Sequence, residues 1–96
     1  MLNSQNKKKL RTMAQTLPAL LQIGKGDLSD NFFENLDSDL EAHDLVKVSM
    51  QKTSSLTVRE AAIECAAQTG SDVIQVIGRT FTLYRPSKEN KLGIKE

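Results

Sequence analysis

Apolar residues recur at helical spacing at the start of the chain, where Leu10, Met13, Ala14 and Leu17 line one side of a segment from Ser4 to Leu17. The pattern predicts a first helix, ended by Pro18 because the residue before a proline is pushed out of the helical region. Ala19 to Ile23 is a short apolar run that stops at Gly24 and reads as a buried strand. Helical spacing returns in Phe32, Phe33, Leu36 and Leu40, which places a second helix over Asp30 to Ala42. Ser29 or Asp27 stands near its cap, acids in its first turn suit the helix dipole, and its acidic side should face outward.

In the second half the period changes. Leu45-Val46-Lys47-Val48-Ser49-Met50 alternates apolar and polar residues, which predicts a strand, and Gln51 to Leu56 is a polar connector. Thr57-Val58-Arg59-Glu60 has the spacing of a capping box, so a third helix starts there and stops at Gly70. Two further strands, Val73 to Ile77 and Thr80 to Tyr84, flank Gly78-Arg79, a two-residue connection with glycine first, as a type II′ hairpin wants. From Pro86 the tail is polar and is expected to be loose.

The resulting order is α-β-α-β-α-β-β. Right-handed crossovers put the second and third helices on one face if both link parallel strands of one sheet, and the final hairpin adds an antiparallel pair. The expectation is a single domain over residues 1–96, core about 4–85, built as a two-layer α/β sandwich with a mixed four-stranded sheet. A chain of this size buries about 60 to 70% of its unfolded surface, so a second domain is excluded.

Charge changes the picture by its distribution. Thirteen Lys and Arg against 12 Asp and Glu give a net +1. Residues 1–26, however, carry Lys7, Lys8, Lys9, Arg11 and Lys25 with no acid, whereas residues 27–44 carry seven acids with no Lys or Arg. Such a molecule has one basic and one acidic surface and can orient against a polyanion. Solvated helix faces give the same pattern, and both readings stand at this point.

Candidate chemistry is sparse. The single cysteine, Cys65, shares a helical stripe with Val58, Ala61, Ala62 and Ala66, and so reads as buried rather than nucleophilic. No Cys/His cluster has metal-ligand spacing, and the acids of the second helix lack a visible base or nucleophile, so no cofactor, metal or small-molecule substrate is expected. No secretory h-region is present and no apolar run nears the roughly 18 residues of a membrane span, so a cytoplasmic setting is expected. The first helix also lacks the Trp or Phe that would anchor it to a membrane surface.

The site candidate is Gly24-Lys25-Gly26-Asp27, a glycine-rich loop leading from a strand towards a helix N-terminus. Unpaired amides and the positive end of a helix dipole attract phosphate there, and Lys25 adds a full charge. An ordinary strand-to-helix turn also uses glycines, for backbone geometry alone. Lys8, Arg11, Arg79 and Arg85 are candidates for electrostatic support. Aromatic stacking is disfavoured: Phe32, Phe33 and Phe81 sit on apolar stripes, Tyr84 is ambiguous, and backbone or shape recognition is the better expectation.

Taken in order, Leu10-Arg11 and Ala14, Leu17-Pro18, Gln22-Ile23-Gly24-Lys25 with Leu28, Leu45-Val46-Lys47-Val48, the alanine-rich third helix, and Gln75-Val76-Ile77-Gly78-Arg79 leading to Leu83-Tyr84-Arg85 resemble the YhbY-like family. This family is also called the CRM (chloroplast RNA splicing and ribosome maturation) domain. The resemblance spans about residues 7–85. It implies a fold similar to the C-terminal domain of translation initiation factor 3 and non-catalytic RNA binding. It also implies association with ribosomal RNA in precursors of the large ribosomal subunit; ribosomal proteins enter as the kind of basic partner that the rival reading below would dock. The family loop reads Gly-Lys-x-Gly, which carries RNA contact onto Gly24, Lys25 and Gly26, whereas Asp27 replaces the last glycine. Aspartate tolerates positive φ better than most residues, but its carboxylate would repel a phosphate. The rival function is a protein-interaction module that docks a basic partner through the acids of the second helix, Glu34, Asp37 and Glu41.

Overall fold

The computed structural model describes residues 3–24, 28–52, 54–88 and 92. Its elements, in chain order, are α1 (Ser4–Ala14), β1 (Ala19–Ile23), α2 (Asp30–His43), β2 (Leu45–Met50), α3 (Val58–Thr69), β3 (Asp72–Ile77) and β4 (Thr80–Tyr84). The predicted order holds. Boundaries move where a turn tightens: α1 ends at Ala14 rather than Leu17, because the Gln15 and Leu17 amides donate three residues back, to the carbonyls of Thr12 and Ala14. That tighter winding turns the chain toward the sheet ahead of Pro18.

Each helix start follows from its cap. Asn3 Oδ1 accepts from the Asn6 amide at 2.8 Å, and Ser29 Oγ from the Phe32 amide at 3.1 Å. The capping box of α3 is complete, with Thr57 Oγ1 accepting from the Glu60 amide at 3.1 Å and Glu60 Oε1 from the Thr57 amide at 3.0 Å. Those bonds from Thr57 hold the Glu60 carboxyl below its usual range. Gly70 closes α3 at φ 66°, and its amide donates to the Ala66 carbonyl. Gly78 has φ 57° whereas Arg79 is not among the residues of positive φ, the combination of signs that a type II′ turn requires.

The four strands form one sheet in the order β1-β2-β4-β3. β1 pairs parallel with β2, and β4 pairs antiparallel with both β2 and β3, so β1, β2 and β3 all run the same way. Along β2, Val46, Val48 and Met50 point into the main core with Phe81 and Leu83 of β4, where they meet Phe32, Leu36 and Leu40 of α2 and Ala61, Ala62 and Cys65 of α3. Sheet, α2 and α3 thus make the expected two-layer sandwich. On the other face Leu45, Ile74 and Tyr84 form a second cluster with Leu10, so α1 lies across one end of that face. Both clusters need β2, which is why its alternation includes Leu45.

The chain after β4 is held in part. Ser87 is buried, its amide donates to Asp44 Oδ1 at 3.2 Å, and Leu92 packs against the Leu10 cluster. Leu10 is fully buried, and truncating such a leucine costs about 2–5 kcal/mol. Leu10→Ala should therefore lower unfolding free energy in urea by about 3 kcal/mol. A loss under about 1 kcal/mol would mean that α1 docks through other contacts.

Candidate functional site

Because β1, β2 and β3 run parallel, their carboxyl ends share one end of the sheet, the place where open α/β sheets present ligand-binding loops. Three connections emerge there: the loop after Gly24, the connector from Gln51, and the Gly78-Arg79 turn. They are tied together, since the Gln51 amide donates to the Ile23 carbonyl and the Met50 amide to the Arg79 carbonyl, each at 2.8 Å. A β-carbon on Gly24 would stand 3.0 Å from Gln51 Oε1, so any side chain there would press on the Gln51 amide, and Gly24 is not among the residues of positive φ. Lys25, Gly26 and Asp27 lie outside the described residues. The residues on either side are anchored, Gly24 beside Gln51 and Leu28 against the main core.

The N-terminus of α2 beside this loop is capped by its own residues. Ser29 takes the Phe32 amide with its hydroxyl and the Phe33 amide with its carbonyl, and Asp30 brings a carboxylate into the first turn. Among the described residues of this corner, Arg79 at the exposed turn is a cation.

The other candidate cations separate. Lys8 and Arg11 are exposed on α1, whose buried residues Leu10 and Ala14 face the sheet. Leu10 meets Leu45 and Tyr84, at the far end of β2 and β4 from the loop, about 16 Å away for five strand steps. Arg85 is farther still in role. Its Nη1 donates to Asp37 Oδ1 at 2.6 Å and to the Thr69 carbonyl at 2.9 Å, whereas Nη2 donates to the Asp37 carbonyl at 3.1 Å. Glu41 Oε2 lies 3.6 Å away. The sequence-based expectation of Arg85 as support for a phosphate is corrected to a strut that joins α2 to the end of α3. Orphan carbonyls at a helix C-terminus attract such a group, and sequence spacing could not show that α2 and α3 end beside β4.

No aromatic platform exists among the described residues: Phe32, Phe81 and Tyr84 are buried and Phe33 is half-buried, set edge-on to Phe32 at 6.0 Å. Cys65 is wholly buried, and burial, aided by the Glu64 carboxylate, pushes its thiol up to about 12. Among the described residues there is no cluster of three metal-ligating side chains, and no helix is long and apolar enough to cross a membrane.

What results is a small α/β domain of the type that presents cationic turns at the carboxyl ends of a mixed sheet. The family model for the CRS1 / YhbY (CRM) domain matches residues 2–85, and the chain belongs to that family. It is 36% identical over 91 residues to the probable RNA-binding protein YqeI of Bacillus subtilis, covering 95% of each chain. An RNA-binding protein of Haemophilus influenzae is 26% identical over 93 residues, with 97% of this chain and 94% of the relative covered. The solution structure of protein SAV1595 from Staphylococcus aureus superposes with a TM-score of 0.81 at 36% identity, covering 96% of both chains.

Two outcomes are expected from this geometry. Arg85→Ala should cost about 1–3 kcal/mol in urea, as hydrogen bonds to a charged group do. Asp37→Asn in the same background should add less than it does alone, since the two share one contact. For Cys65, the folded thiol at about 12 lies above its ordinary 9.0, so its contribution is complete below pH 9 and is lost as pH climbs toward 12. The fall of the urea midpoint between pH 8.5 and about 10.5 should be shallower in Cys65→Ala than in the wild type; equal slopes would contradict the burial argument.

Proposed function

We propose that this protein is a non-enzymatic RNA-binding domain that holds the sugar-phosphate backbone of structured ribosomal precursor RNA, in assembly of the large ribosomal subunit. The observation that carries the reading is the joining of Gly24, Gln51 and Arg79 at one end of the sheet, beside the loop that bears Lys25. The family membership and the RNA-binding names of relatives that cover nearly the whole chain support it. Burial of the aromatic residues favours contact with backbone and shape over stacked bases. Gly24, Lys25 and Gly26 are the proposed clamp, Arg79 its neighbour, and Lys8 and Arg11 a second cationic group on α1. Arg85 is left out, because its guanidinium is held by Asp37 and the Thr69 carbonyl. The rival reading of α2 as a dock for a basic protein is weakened by the same bonds, since Asp37 and Glu41 already face Arg85.

The test is fluorescence anisotropy of the full chain on transcribed fragments of large-subunit ribosomal RNA across a salt series. Each phosphate neutralised contributes about 0.7 to 0.9 to the slope of log affinity against log salt. A steep slope is expected, and Lys25→Glu and Arg79→Glu should each weaken binding about tenfold or more while lowering the slope. A flat salt response rejects the reading. Asp27→Gly should tighten binding by removing a carboxylate from the clamp, and unchanged or weaker affinity argues against a phosphate at that loop.

A further inference from the structure

The register places a second set of side chains on the face of the sheet that α1 covers only in part. Gln22, Ser49, Thr80 and Ile77 form one row across the four strands, and Lys47, Thr82 and Gln75 the next, nearer α1. Gln22 and Ile77 are exposed, and Lys47, Ser49, Gln75 and Thr80 are half-buried. Thr82, between Lys47 and Gln75, is 1% exposed with no partner for its hydroxyl among the described residues. Such a face on interior strands normally packs against something apolar or alternates charge signs. Here, apart from Ala19 and the exposed Ile77, it is amides, hydroxyls and one ammonium group.

Lys47 is the key to it. No carboxylate pairs with it among the described residues, and the only acid the register assigns to this face is Asp72, at the corner beside Tyr84 and α1. The acids of α2 lie behind the opposite face. One margin of the strip is α1 with Lys7, Lys8, Lys9 and Arg11; the other is the end of the sheet that holds Gly24 and Arg79. The strip therefore joins two cationic groups that the fold otherwise keeps about 16 Å apart along the strands.

We propose that this open strip of the sheet, centred on Lys47 and flanked by Gln22, Ser49, Gln75 and Thr80, is a contact surface for RNA running between the clamp and α1. The inference rests on the RNA-binding reading above and extends it to a surface outside the loop. RNA is the occupant because the strip is uncompensated positive charge set among groups that donate and accept hydrogen bonds. That mixture suits phosphate oxygens, 2′-hydroxyls and base edges together.

The experiment combines substitution with a signal from the unaltered chain. With the same ribosomal RNA fragments, Lys47→Gln should weaken binding about threefold to tenfold and lower the salt slope by about 0.7 to 0.9, and Gln75→Glu should weaken it by repulsion. Circular dichroism of each variant separates this from loss of fold. In the wild type, the side-chain amide resonances of Gln22 and Gln75 should shift on RNA titration. If the wild-type chain binds RNA while both variants bind equally well, or while those resonances stay still, the strip is not an RNA surface. If the wild-type chain does not bind RNA at low salt, the RNA-binding reading fails first and this inference with it.

Discussion

The strand β2 has to satisfy two faces at once, and the rest of the molecule depends on how it does so. It is interior to the sheet, so its backbone is paired on both sides, by β1 and by β4. One set of its side chains, Val46, Val48 and Met50, must be buried under α2 and α3. The other set begins with Leu45 under α1 and then becomes Lys47 and Ser49. A slip of one residue would put a lysine into the main core and valines into water, which makes the register among the most strongly specified features of the fold. The crossover through α2 makes β1 parallel to β2, and their pairing brings Gly24 beside Gln51.

From this frame comes the division of the basic residues. Arg79 and Arg85 are six residues apart on the same hairpin arm, but a strand has two ends. Arg79 sits in the turn at the carboxyl ends of the parallel strands, with its carbonyl tied to Met50. Arg85 leaves β4 at the other end, where α3 stops and where Asp37 of α2 faces it. Similar chemistry therefore serves two purposes: an exposed cation free to meet an anion, and a half-buried cation that satisfies a helix carbonyl and a carboxylate. The second arrangement also quiets part of the acidic face that charge counting alone presented as open.

Secondary structure was legible because its causes are local. The Thr57 to Glu60 box, the Ser29 cap, Gly70 and the Gly78 turn each act within a few residues, and the alternation of Leu45 to Met50 needed no partner to be recognised. Where local rules compete the edges blurred: Leu17 fits a helical stripe but also precedes proline, and the chain left the helix at Ala14. Tyr84 was ambiguous in sequence because an aromatic at a strand end suits either core or ligand, and burial under α1 resolved it.

The candidate site divides in the same way. Its glycines and lysine were visible as a break in an apolar run, although an ordinary turn uses the same residues. Which cations stand near it was not visible, because proximity across a sheet is set by strand order and register, and these come from the simultaneous packing of three helices. Sequence by itself determined the elements, the caps, the two-faced pattern of β2 and the separation of basic from acidic segments, all properties of neighbours along the chain. Only the tertiary structure decided that Arg85 is a strut, that Arg79 joins Gly24, and that Lys47 lies on an uncovered face, because each depends on which residues the burial of apolar surface brings together from far apart.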